Sequence, residues 1–218
     1  PVRGLITILR PPGGRERICD VNALPLFDDT GALAEVVVTF IDVTVRESQR
    51  RDTDHLNGQL ARMAITDDLT GLANRRGIVD IAEKALAAAE RHGHELSFLL
   101  LDLDRFKQVN DKRGHAAGDA LLVDIARSIS LALRREDSVG RFGGEEFLAV
   151  LPASDLEAAG SVAERVRLAI ESGGSASDVT ASIGIAVRQP GESADRMIRR
   201  ADAAMYRAKE DGRNLVRI

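Results

Sequence analysis

The 218-residue sequence has a single cysteine, no long apolar run and no excess of basic residues, and each absence excludes a class of protein. Cys19 alone rules out an internal disulfide and a metal site built from several cysteines, and we expect it to be a small buried hydrophobe. No apolar run approaches the roughly 18 residues that a membrane span requires. The formal net charge of −4 argues against a nucleic-acid-binding protein, because such domains usually carry a strong basic excess.

The start of the chain contains nothing that resembles a signal peptide. We therefore expect a cytoplasmic chain with no contact to nucleic acid or membrane, and a membrane anchor upstream of Pro1 in a longer protein stays compatible with this expectation. Charged residues make up 29% and hydrophobic residues 44%, which is ordinary for a folded protein. The length predicts one full domain and a smaller additional part.

Residues 1–44 have the pattern of three antiparallel strands. The stretches GLITILR, RERICDVNALPLF and ALAEVVVTFIDVT are separated by the turn signals PPGG and DDTG. A sheet of three strands has a face that it cannot bury by itself. We predict that it is the end of a larger domain or that it packs on another copy.

Residues 45–65 are dense in charge, lack proline and carry sparse apolar residues at Leu56, Leu60 and Met63. This pattern predicts a solvated helix with a narrow apolar seam. Two interpretations stay open, a plain linker and a two-stranded coiled coil that joins two copies. Gly58 and the short heptad run weaken the second.

From Thr66 onwards, helical and strand patterns alternate, which predicts an α/β fold. The predicted helices are GIVDIAEKALAAAERHG, GDALLVDIARSISLALRRED, DLEAAGSVAERVRLAIES and SADRMIRRADAAMYRAKEDG. The predicted strands are LSFLLLDLD, the hairpin SVGRFGGEEFLAVLP with its two glycines at the turn, DVTASIGIAVRQ and a short NLVRI. The central hairpin implies a mixed sheet, flanked by helices, that is not purely parallel.

Carboxylates stand where two predicted strands end. Asp102 and Asp104 close the strand LSFLLLDLD on one face, and Glu145 and Glu146 follow the glycines of the hairpin turn. If the hairpin lies beside that strand, Asp102 and Glu145 converge on a site suited to Mg²⁺, which prefers a few carboxylates plus phosphate oxygens and water. The alternative for the aspartates is a solvated strand end.

Glycines and cations complete the outline of a nucleotide site. Gly143 and Gly144 lack Cβ atoms, so a polyphosphate can approach their backbone closely. Lys107, Lys209 and Arg213 suit phosphate oxygens. Lys209 and Arg213 are four residues apart, which predicts that they share a face of the last helix. Taken singly, each cation is equally compatible with a solvated surface charge.

Asn110 and Asp119 form a pair suited to a guanine edge. An amide matches the O6 and N7 side of the base, and a carboxylate accepts from N1–H and N2–H. The alternative for each residue is a turn or a helix cap.

Five segments together resemble the GGDEF domain of diguanylate cyclases, in that family's order. They are DDLTGLANRRG (67–77), DLDRFKQVNDKRGHAAGD (102–119), RFGGEEF (141–147), TASIGIAV (180–187) and ADAAMYRAKEDGRN (201–214). The first 44 residues resemble the C-terminal half of a PAS sensor domain, down to DVT. The resemblance implies a partial PAS domain over 1–44, a linker helix over 45–65 and a palm-like GGDEF domain over 66–218.

The resemblance also implies an activity. Each domain would bind one GTP, and two domains would meet head to head as a homodimer, with each 3′-hydroxyl attacking the α-phosphorus of the other GTP. The products would be cyclic di-GMP and two pyrophosphates. The signature reads GGEEF, a variant that the family accepts, and no EAL-type motif for hydrolysis of cyclic di-GMP is present.

By this resemblance Asp102, the Leu103 carbonyl and Glu145 would bind two Mg²⁺ ions, or Mn²⁺ in their place. Glu145 would also help to deprotonate the attacking hydroxyl, with Glu146 as a second carboxylate beside it and Lys107 as a catalytic cation. The residues implied in GTP binding are Phe106, Lys107, Asn110, Asp119, Gly143, Gly144, Lys209 and Arg213.

Arg134 and Asp137 in RRED match the family's RxxD inhibitory site, and Arg165 in AERVR matches its second arm. The implied mechanism is product inhibition, in which intercalated cyclic di-GMP holds two domains apart. By itself, RRED at a helix end is a solvated charge cluster that complements the helix dipole. A catalytically silent receptor for cyclic di-GMP is the main alternative function, and a nucleotidyl cyclase or polymerase of other specificity is a third.

Overall fold

A computed structural model of the chain describes residues 2–10, 13–14, 16–50, 65–173 and 179–218. The chain divides into two compact units, Pro1–Met63 and Ala64–Ile218. Over the described residues, no helix combines the length and the apolar character needed to cross a membrane.

The first unit is built on an antiparallel sheet of three strands in the order β1–β2–β3. The strands are β1 (Val2–Leu9), β2 (Arg17–Phe27) and β3 (Leu33–Asp42). The predicted meander is therefore confirmed. Large apolar side chains remain exposed on it, among them Phe27 and Phe40, as expected for a sheet that is too small to bury its own apolar face.

The DVT sequence closes this sheet. The Thr44 hydroxyl donates to Asp42 at 2.6 Å and accepts from the backbone N–H of Ile18 at 2.8 Å, so it ties the end of β3 to β2. Residues 44–50 are helical. The predicted linker helix thus begins where expected, whereas the predicted seam residues, Leu56, Leu60 and Met63, lie outside the described residues.

The second unit contains five helices and five strands among its described residues. In chain order they are α1 (Arg75–His92), β4 (Leu96–Leu103), α2 (Phe106–Arg113), α3 (His115–Ala132), β5 (Ser138–Arg141), β6 (Glu146–Pro152), α4 (Leu156–Gly173), β7 (Ala181–Val187), α5 (Ala194–Glu210) and β8 (Val216–Arg217). The strands form one sheet in the order β5–β6–β4–β7–β8. Every pair is antiparallel except β7–β8, so the sheet is mixed, as predicted.

Strand β4 lies at the centre of the sheet, and all eight of its residues are buried. Its side chains alternate between two apolar clusters: Leu99 and Leu101 face helices α3 and α4, while Phe98 and Leu100 face α1 and α5. Each such side chain contributes about 1.5–3 kcal/mol on burial. This double burial explains why the strand reads as a continuous apolar run rather than as an alternating one.

Helix α5 packs closely on the sheet because small residues meet at the contact. A Cβ atom on Gly184 of β7 would collide with the backbone of α5 at Ala201 and Met205. The helix begins with a cap in which the Ser193 hydroxyl accepts from the backbone N–H of Arg196. This close packing brings the last turn of α5, with Lys209, to the sheet edge where β4 ends.

Three predictions of local structure were wrong. Helix α2 was missed, because its eight residues carry one buried side chain, Phe106, and no apolar periodicity. Helix α3 ends at Ala132 instead of continuing through RRED. Arg213 lies beyond α5, which ends at Glu210, with a left-handed φ of 67°, so it does not share a helical face with Lys209.

Candidate active site

The end of β4 and the start of β6 bring two predicted carboxylates together. Asp102 pairs in register with Glu146 on β6 and with Ser182 on β7. The backbone N–H of Leu103 donates to the carbonyl of Glu145 at 3.3 Å. The hairpin therefore lies beside β4, as the sequence required for a shared site.

Lys209 reaches this carboxylate cluster from helix α5. Its ammonium Nζ lies 2.9 Å from Oδ2 of Asp102, whose side chain is 10% exposed. Arg213 also lies near enough to lower the pKa of Asp102, so both predicted cations act on the same strand end despite their different secondary structure. One face of the site is thus anionic and the adjoining face is cationic.

The carboxyl groups of the site hold their protons more tightly than ordinary carboxyls. Burial raises the pKa of Asp102, and Lys209 opposes this rise by hydrogen bonding and charge. Burial raises the pKa of Glu145 and of Glu146 as well, and the negative charge of Asp102 adds to both shifts. The cluster therefore carries negative charge that Lys209 compensates only in part.

A divalent cation fits this donor set. Among the described residues, no group of three or more His, Cys, Asp or Glu side chains could hold a metal ion. Mg²⁺, however, is commonly held by one or two carboxylates together with phosphate oxygens and water. Burial is the main reason that these carboxyls have raised pKa values, and the charge of Asp102 adds to the rise for both glutamates, so a bound cation would favour their charged forms.

The glycines of the turn have different surroundings. The backbone N–H groups of Phe142 and Gly143 both donate to the carbonyl of Glu146, at 2.8 and 3.2 Å. A Cβ atom on Gly143 would collide with the Glu146 carboxylate, whereas one on Gly144 would meet no atom within 4 Å. A side chain at position 143 would therefore displace the Glu146 carboxylate, and Gly144 leaves open space beside the carboxylates.

Arg141 fastens the same turn and was not identified from the sequence. Its Nε and Nη2 donate to the carbonyl of Gly144 at 3.1 and 2.7 Å, and its Nη1 lies 3.3 Å from both carboxylate oxygens of Asp67. Thr70 donates to Asp67 through its hydroxyl and its backbone N–H. Burial by itself raises the pKa of Asp67, but the bonds from Thr70 and Arg141 outweigh it and hold that pKa below its usual value.

Asn110 lies at the contact between helices α2 and α3. Its Oδ1 is buried and has no hydrogen-bond partner within the described part of the chain. The amide packs against Gly118, where a Cβ atom would collide with it, and Asp119 follows Gly118 at an exposed position. Buried polar atoms are nearly always bonded, so the unpartnered amide oxygen of Asn110 is an exception to this rule among the described residues.

The other residues proposed for GTP are close to this region in the chain. Phe106 is buried at the start of α2 and approaches the position of a Cβ on Gly118 to 3.2 Å. Lys107 is exposed in the first turn of the same helix. Neither observation tests the roles given to these two residues.

Arg134 and Asp137 lie in the turn after α3, and Arg165, in the middle of α4, contacts the end of α3. The Arg165 Nε on α4 donates to the carbonyl of Ala132, the last residue of α3, at 2.7 Å. Asp137 accepts from the backbone N–H of Arg134 at 2.9 Å, which closes a turn. Arg134 is exposed and Asp137 is half-buried, so this turn presents a cation to solvent beside Arg165.

The fold and the site define a class of protein: an α/β domain with a palm-like mixed sheet whose central strand ends in a carboxylate and cation cluster. The family model described as "Diguanylate cyclase, GGDEF domain" matches residues 64–215. The chain therefore belongs to the GGDEF-domain family of diguanylate cyclases.

Relatives at about 40% identity carry the same family name. The chain is 41% identical over 169 residues to diguanylate cyclase DgcP of Pseudomonas aeruginosa, covering 75% of this chain and 25% of that protein. It is 42% identical over 163 residues to diguanylate cyclase DgcM of Escherichia coli, covering 74% and 40% respectively. The chain thus spans between a quarter and two fifths of the length of these relatives.

Solved structures support the fold. Diguanylate cyclase SiaD of Pseudomonas aeruginosa, solved with its activator SiaC, is 41% identical with a TM-score of 0.67, over 79% of this chain and 69% of that one. The GGDEF domain of DgcB from Caulobacter crescentus, solved with c-di-GMP, is 36% identical with a TM-score of 0.67, over 71% and 92%. An active GGEEF domain from Vibrio cholerae is 32% identical with a TM-score of 0.64, over 67% and 97%.

Proposed function

We propose that residues 66–218 condense two molecules of GTP into cyclic di-GMP and two pyrophosphates. The observation that carries this proposal is the convergence of Asp102, the turn glutamates and Lys209 at one strand end, in a chain that belongs to the GGDEF family. Such a cluster suits phosphoryl transfer, in which catalysis consists largely of positioning and charge stabilisation.

The proposed metal ligands are Asp102, the Leu103 carbonyl and Glu145. They would bind two Mg²⁺ ions per GTP, or Mn²⁺ in their place. The bound ions would neutralise the charge that develops on the α-phosphate. Lys107, Lys209 and Arg213 would hold the phosphate oxygens. The ammonium of Lys209 already lies where anionic charge is concentrated.

Glu145 is the proposed acceptor of the proton from the attacking 3′-hydroxyl, and Glu146 is the adjacent carboxylate. Burial raises the pKa of Glu145, and Asp102 adds to the rise, which brings the group nearer to the range in which a carboxylate acts as a general base at neutral pH. Each domain supplies one GTP, so the reaction requires a head-to-head pair of domains.

Guanine is proposed to lie against Asn110 and Asp119. The buried and unpartnered Oδ1 of Asn110 supports this proposal, because an N–H group on the edge of the base would supply the missing hydrogen-bond donor. If the side-chain amide is turned by 180°, its NH₂ group would instead donate to an acceptor of the base. Gly143 and Gly144 would leave room for the triphosphate beside the turn.

Incubation of the purified chain with GTP and Mg²⁺, followed by chromatography of the products, tests the proposal. The wild type should form cyclic di-GMP with two pyrophosphates per molecule, and Glu145→Gln should lower the rate by about 100-fold or more. Glu90→Gln removes the same charge from an exposed site on α1 and serves as the matched control, with an unchanged rate.

Different outcomes separate the candidate functions. No product at any protein concentration, together with tight binding of cyclic di-GMP, would favour the silent receptor instead. Turnover of ATP in preference to GTP would favour a nucleotidyl cyclase of other specificity.

Regulation by product is part of the proposal. Arg134, Asp137 and Arg165 are proposed to bind cyclic di-GMP and to hold two domains apart. This role is supported by the bond from Arg165 on α4 to Ala132, the last residue of α3, just before the turn that contains Arg134 and Asp137. The DgcB structures solved with c-di-GMP show that relatives bind this nucleotide.

We also propose that residues 1–44 are the C-terminal part of a PAS sensor domain and that residues 45–65 are a linker helix that relays its rearrangements to cyclase pairing. The three-stranded sheet and its DVT closure support the first part. An insertion of four residues, about one helical turn, should change turnover at a fixed protein concentration. Unchanged turnover would contradict a relay through 45–65. The proposed location of the chain is the cytoplasm.

A further inference from the structure

A network of polar side chains beside the candidate site, in which Asp104 is buried and Asn214 is half-buried, has no role in the reaction proposed above. Its centre is Asn214, the residue after Arg213, in the turn that follows helix α5. Both residues have left-handed backbone angles, with φ of 67° for Arg213 and 49° for Asn214. Non-glycine residues adopt this conformation uncommonly, so the surrounding contacts must hold the turn in place.

The first anchor of Asn214 is Asp104. The carboxylate of Asp104, which is 4% exposed, accepts from the backbone N–H of Asn214 at 3.0 Å. The same carboxylate accepts from the hydroxyls of Thr180 and Ser182, both at 2.7 Å. Because Asp104 follows β4 two residues after Asp102, this contact fixes the distance between the turn and the strand end.

The second anchor is helix α4. Arg167 Nη1 donates to the Asn214 side-chain oxygen at 2.6 Å, and the Asn214 amide donates to Glu171 at 2.8 Å. Arg167, whose side chain is 12% exposed, is itself held by Glu164 and Glu171. The side chain of Asn214 is therefore clamped through both its donor and its acceptor.

The contacts that hold Asn214 also restrict the backbone of the preceding residue, Arg213. Arg213 directly precedes Asn214, whose backbone N–H is bonded to Asp104, two residues after Asp102. Its backbone N–H donates to the carbonyl of Ala208 at 3.0 Å, which joins the turn to the end of α5. With the turn fixed by helix α5 on one side and by Asn214 on the other, Arg213 has a defined position relative to the strand end.

We propose that Asn214, held by Asp104 and by Arg167, is a positioning residue that directs Arg213 towards the triphosphate of bound GTP. The inference rests on the proposed function, since it takes the phosphate group as the ligand of Arg213. Asn214 does not itself contact the substrate in this proposal. It prevents the left-handed turn from relaxing into more common backbone conformations in which the Arg213 guanidinium would point elsewhere.

A double-mutant cycle on GTP affinity tests this proposal in the full chain. The probe is guanosine 5′-[α,β-methylene]triphosphate with Mg²⁺, which cannot release pyrophosphate, so binding is measured without turnover. Arg213→Ala should weaken binding about tenfold, and Asn214→Gly, which keeps the left-handed backbone accessible, about fivefold. If Asn214 acts through Arg213, the double variant should bind about as weakly as Arg213→Ala alone.

An additive loss of about fiftyfold in the double variant would overturn the proposal, as would wild-type affinity in Asn214→Gly. Arg167→Met, combined with Arg213→Ala, provides a second cycle. The Arg167→Met change leaves the backbone bond between Asn214 and Asp104 in place. This second cycle tests the role of Asn214 if Asn214→Gly does not fold. Glu157→Gln is the control, because it removes a carboxylate from an exposed position of α4 outside the contacts of Arg167 and Asn214, and its affinity should equal that of the wild type.

The binding cycle also separates this proposal from the proposed function. If the chain binds the analogue but forms no cyclic di-GMP from GTP, the cyclase proposal fails and the cycle still decides the role of Asn214. If the wild type does not bind the analogue at all, both proposals are overturned.

Discussion

The guanidinium of Arg141 lies 3.3 Å from both carboxylate oxygens of Asp67 and also bonds the carbonyl of Gly144 in the glycine turn. The first segment of the second unit is thereby joined to the turn that carries Glu145. The backbone N–H of Arg141 adds a bond to the carbonyl of Ala73 at 2.7 Å. The turn is thus held by contacts far away in sequence.

Arg141→Lys should lower the rate of cyclic di-GMP synthesis because one ammonium cannot bond Gly144 and Asp67 with the geometry of the guanidinium fork. We expect about a tenfold loss in kcat with a smaller change in KM, since the turn carries Glu145, the proposed catalytic carboxylate, rather than a proposed contact to the base of GTP. Steady-state kinetics measure this split. Lys84→Met, which breaks the exposed Asp80–Lys84 pair, is the control and should leave kcat unchanged. An unchanged kcat in Arg141→Lys would contradict the role of this anchor.

Gly118→Ala should weaken GTP binding with little loss of stability. The new Cβ collides with the side-chain oxygen of Asn110, the movable end of that residue, rather than with backbone. We expect GTP affinity to fall about tenfold, and the free energy of unfolding to change by no more than about 1 kcal/mol because alanine favours the helix. Gly160→Ala on α4 meets no atom within 4 Å and is the matched control. Equal GTP affinity in the two variants would argue against Asn110 as a guanine contact.

Arg134→Ala should relieve product inhibition. The initial rate of synthesis should match the wild type, whereas the concentration of cyclic di-GMP that halves the rate should rise about tenfold or more, because a charge-assisted contact is lost. Progress curves with added product measure both quantities. The neighbouring exposed Arg135, changed to alanine, should behave like the wild type. Identical inhibition of Arg134→Ala and wild type would rule out the RxxD turn as the product site.

The buried ion pair between Glu192 and Arg200 predicts a pH-dependent stability. Burial alone raises the pKa of Glu192, but the bonds from Arg200, at 2.7 and 2.8 Å, outweigh it and lower that pKa. Because the folded pKa lies below the ordinary value, the stabilising contribution is present above about pH 4.3 and is lost as the pH falls through the folded pKa. Glu192 therefore stabilises the fold at neutral pH.

Arg200→Met should reduce the free energy of unfolding by about 3 kcal/mol at pH 7, because it leaves Glu192 buried without its partner. The deficit should narrow as the pH falls towards 4 and Glu192 is protonated. Chemical denaturation at several pH values measures this. Arg199→Met breaks the exposed pair with Asp195 and should cost less than about 1 kcal/mol at every pH. A deficit in Arg200→Met that does not depend on pH would contradict the assignment.

The sequence predicted much of this fold because its local signals agree with the final packing. The buried strand β4, the hairpin with glycines at its turn and the amphipathic helices α1, α4 and α5 each follow from apolar spacing and turn residues. Helix α2 could not be predicted, since its polar residues carry no apolar periodicity and only one of its side chains, that of Phe106, is buried. The end of α3 was misplaced because RRED lacks a glycine or proline stop.

The residues of the candidate site were identified by their order along the chain, but their contacts were not. Asp102, Glu145 and Lys209 could be named from spacing and resemblance, whereas the anchoring roles of Arg141, Asp104 and Asn214 could not. Arg141 bonds Asp67, 74 residues away, and Asn214 bonds Asp104, 110 residues away. Hydrogen bonds between such distant residues leave no local pattern in a single sequence.

The amino-acid sequence by itself determined the order of helices and strands, the apolar centre of the sheet and the family, because side-chain period and turn chemistry act over a few neighbouring residues. Tertiary structure alone decided that Lys209 meets Asp102, that Gly118 gives room to Asn110, and that a left-handed turn carries Arg213. These relationships depend on how closely α5, α2 and α3 pack, and close packing is a property of the whole fold.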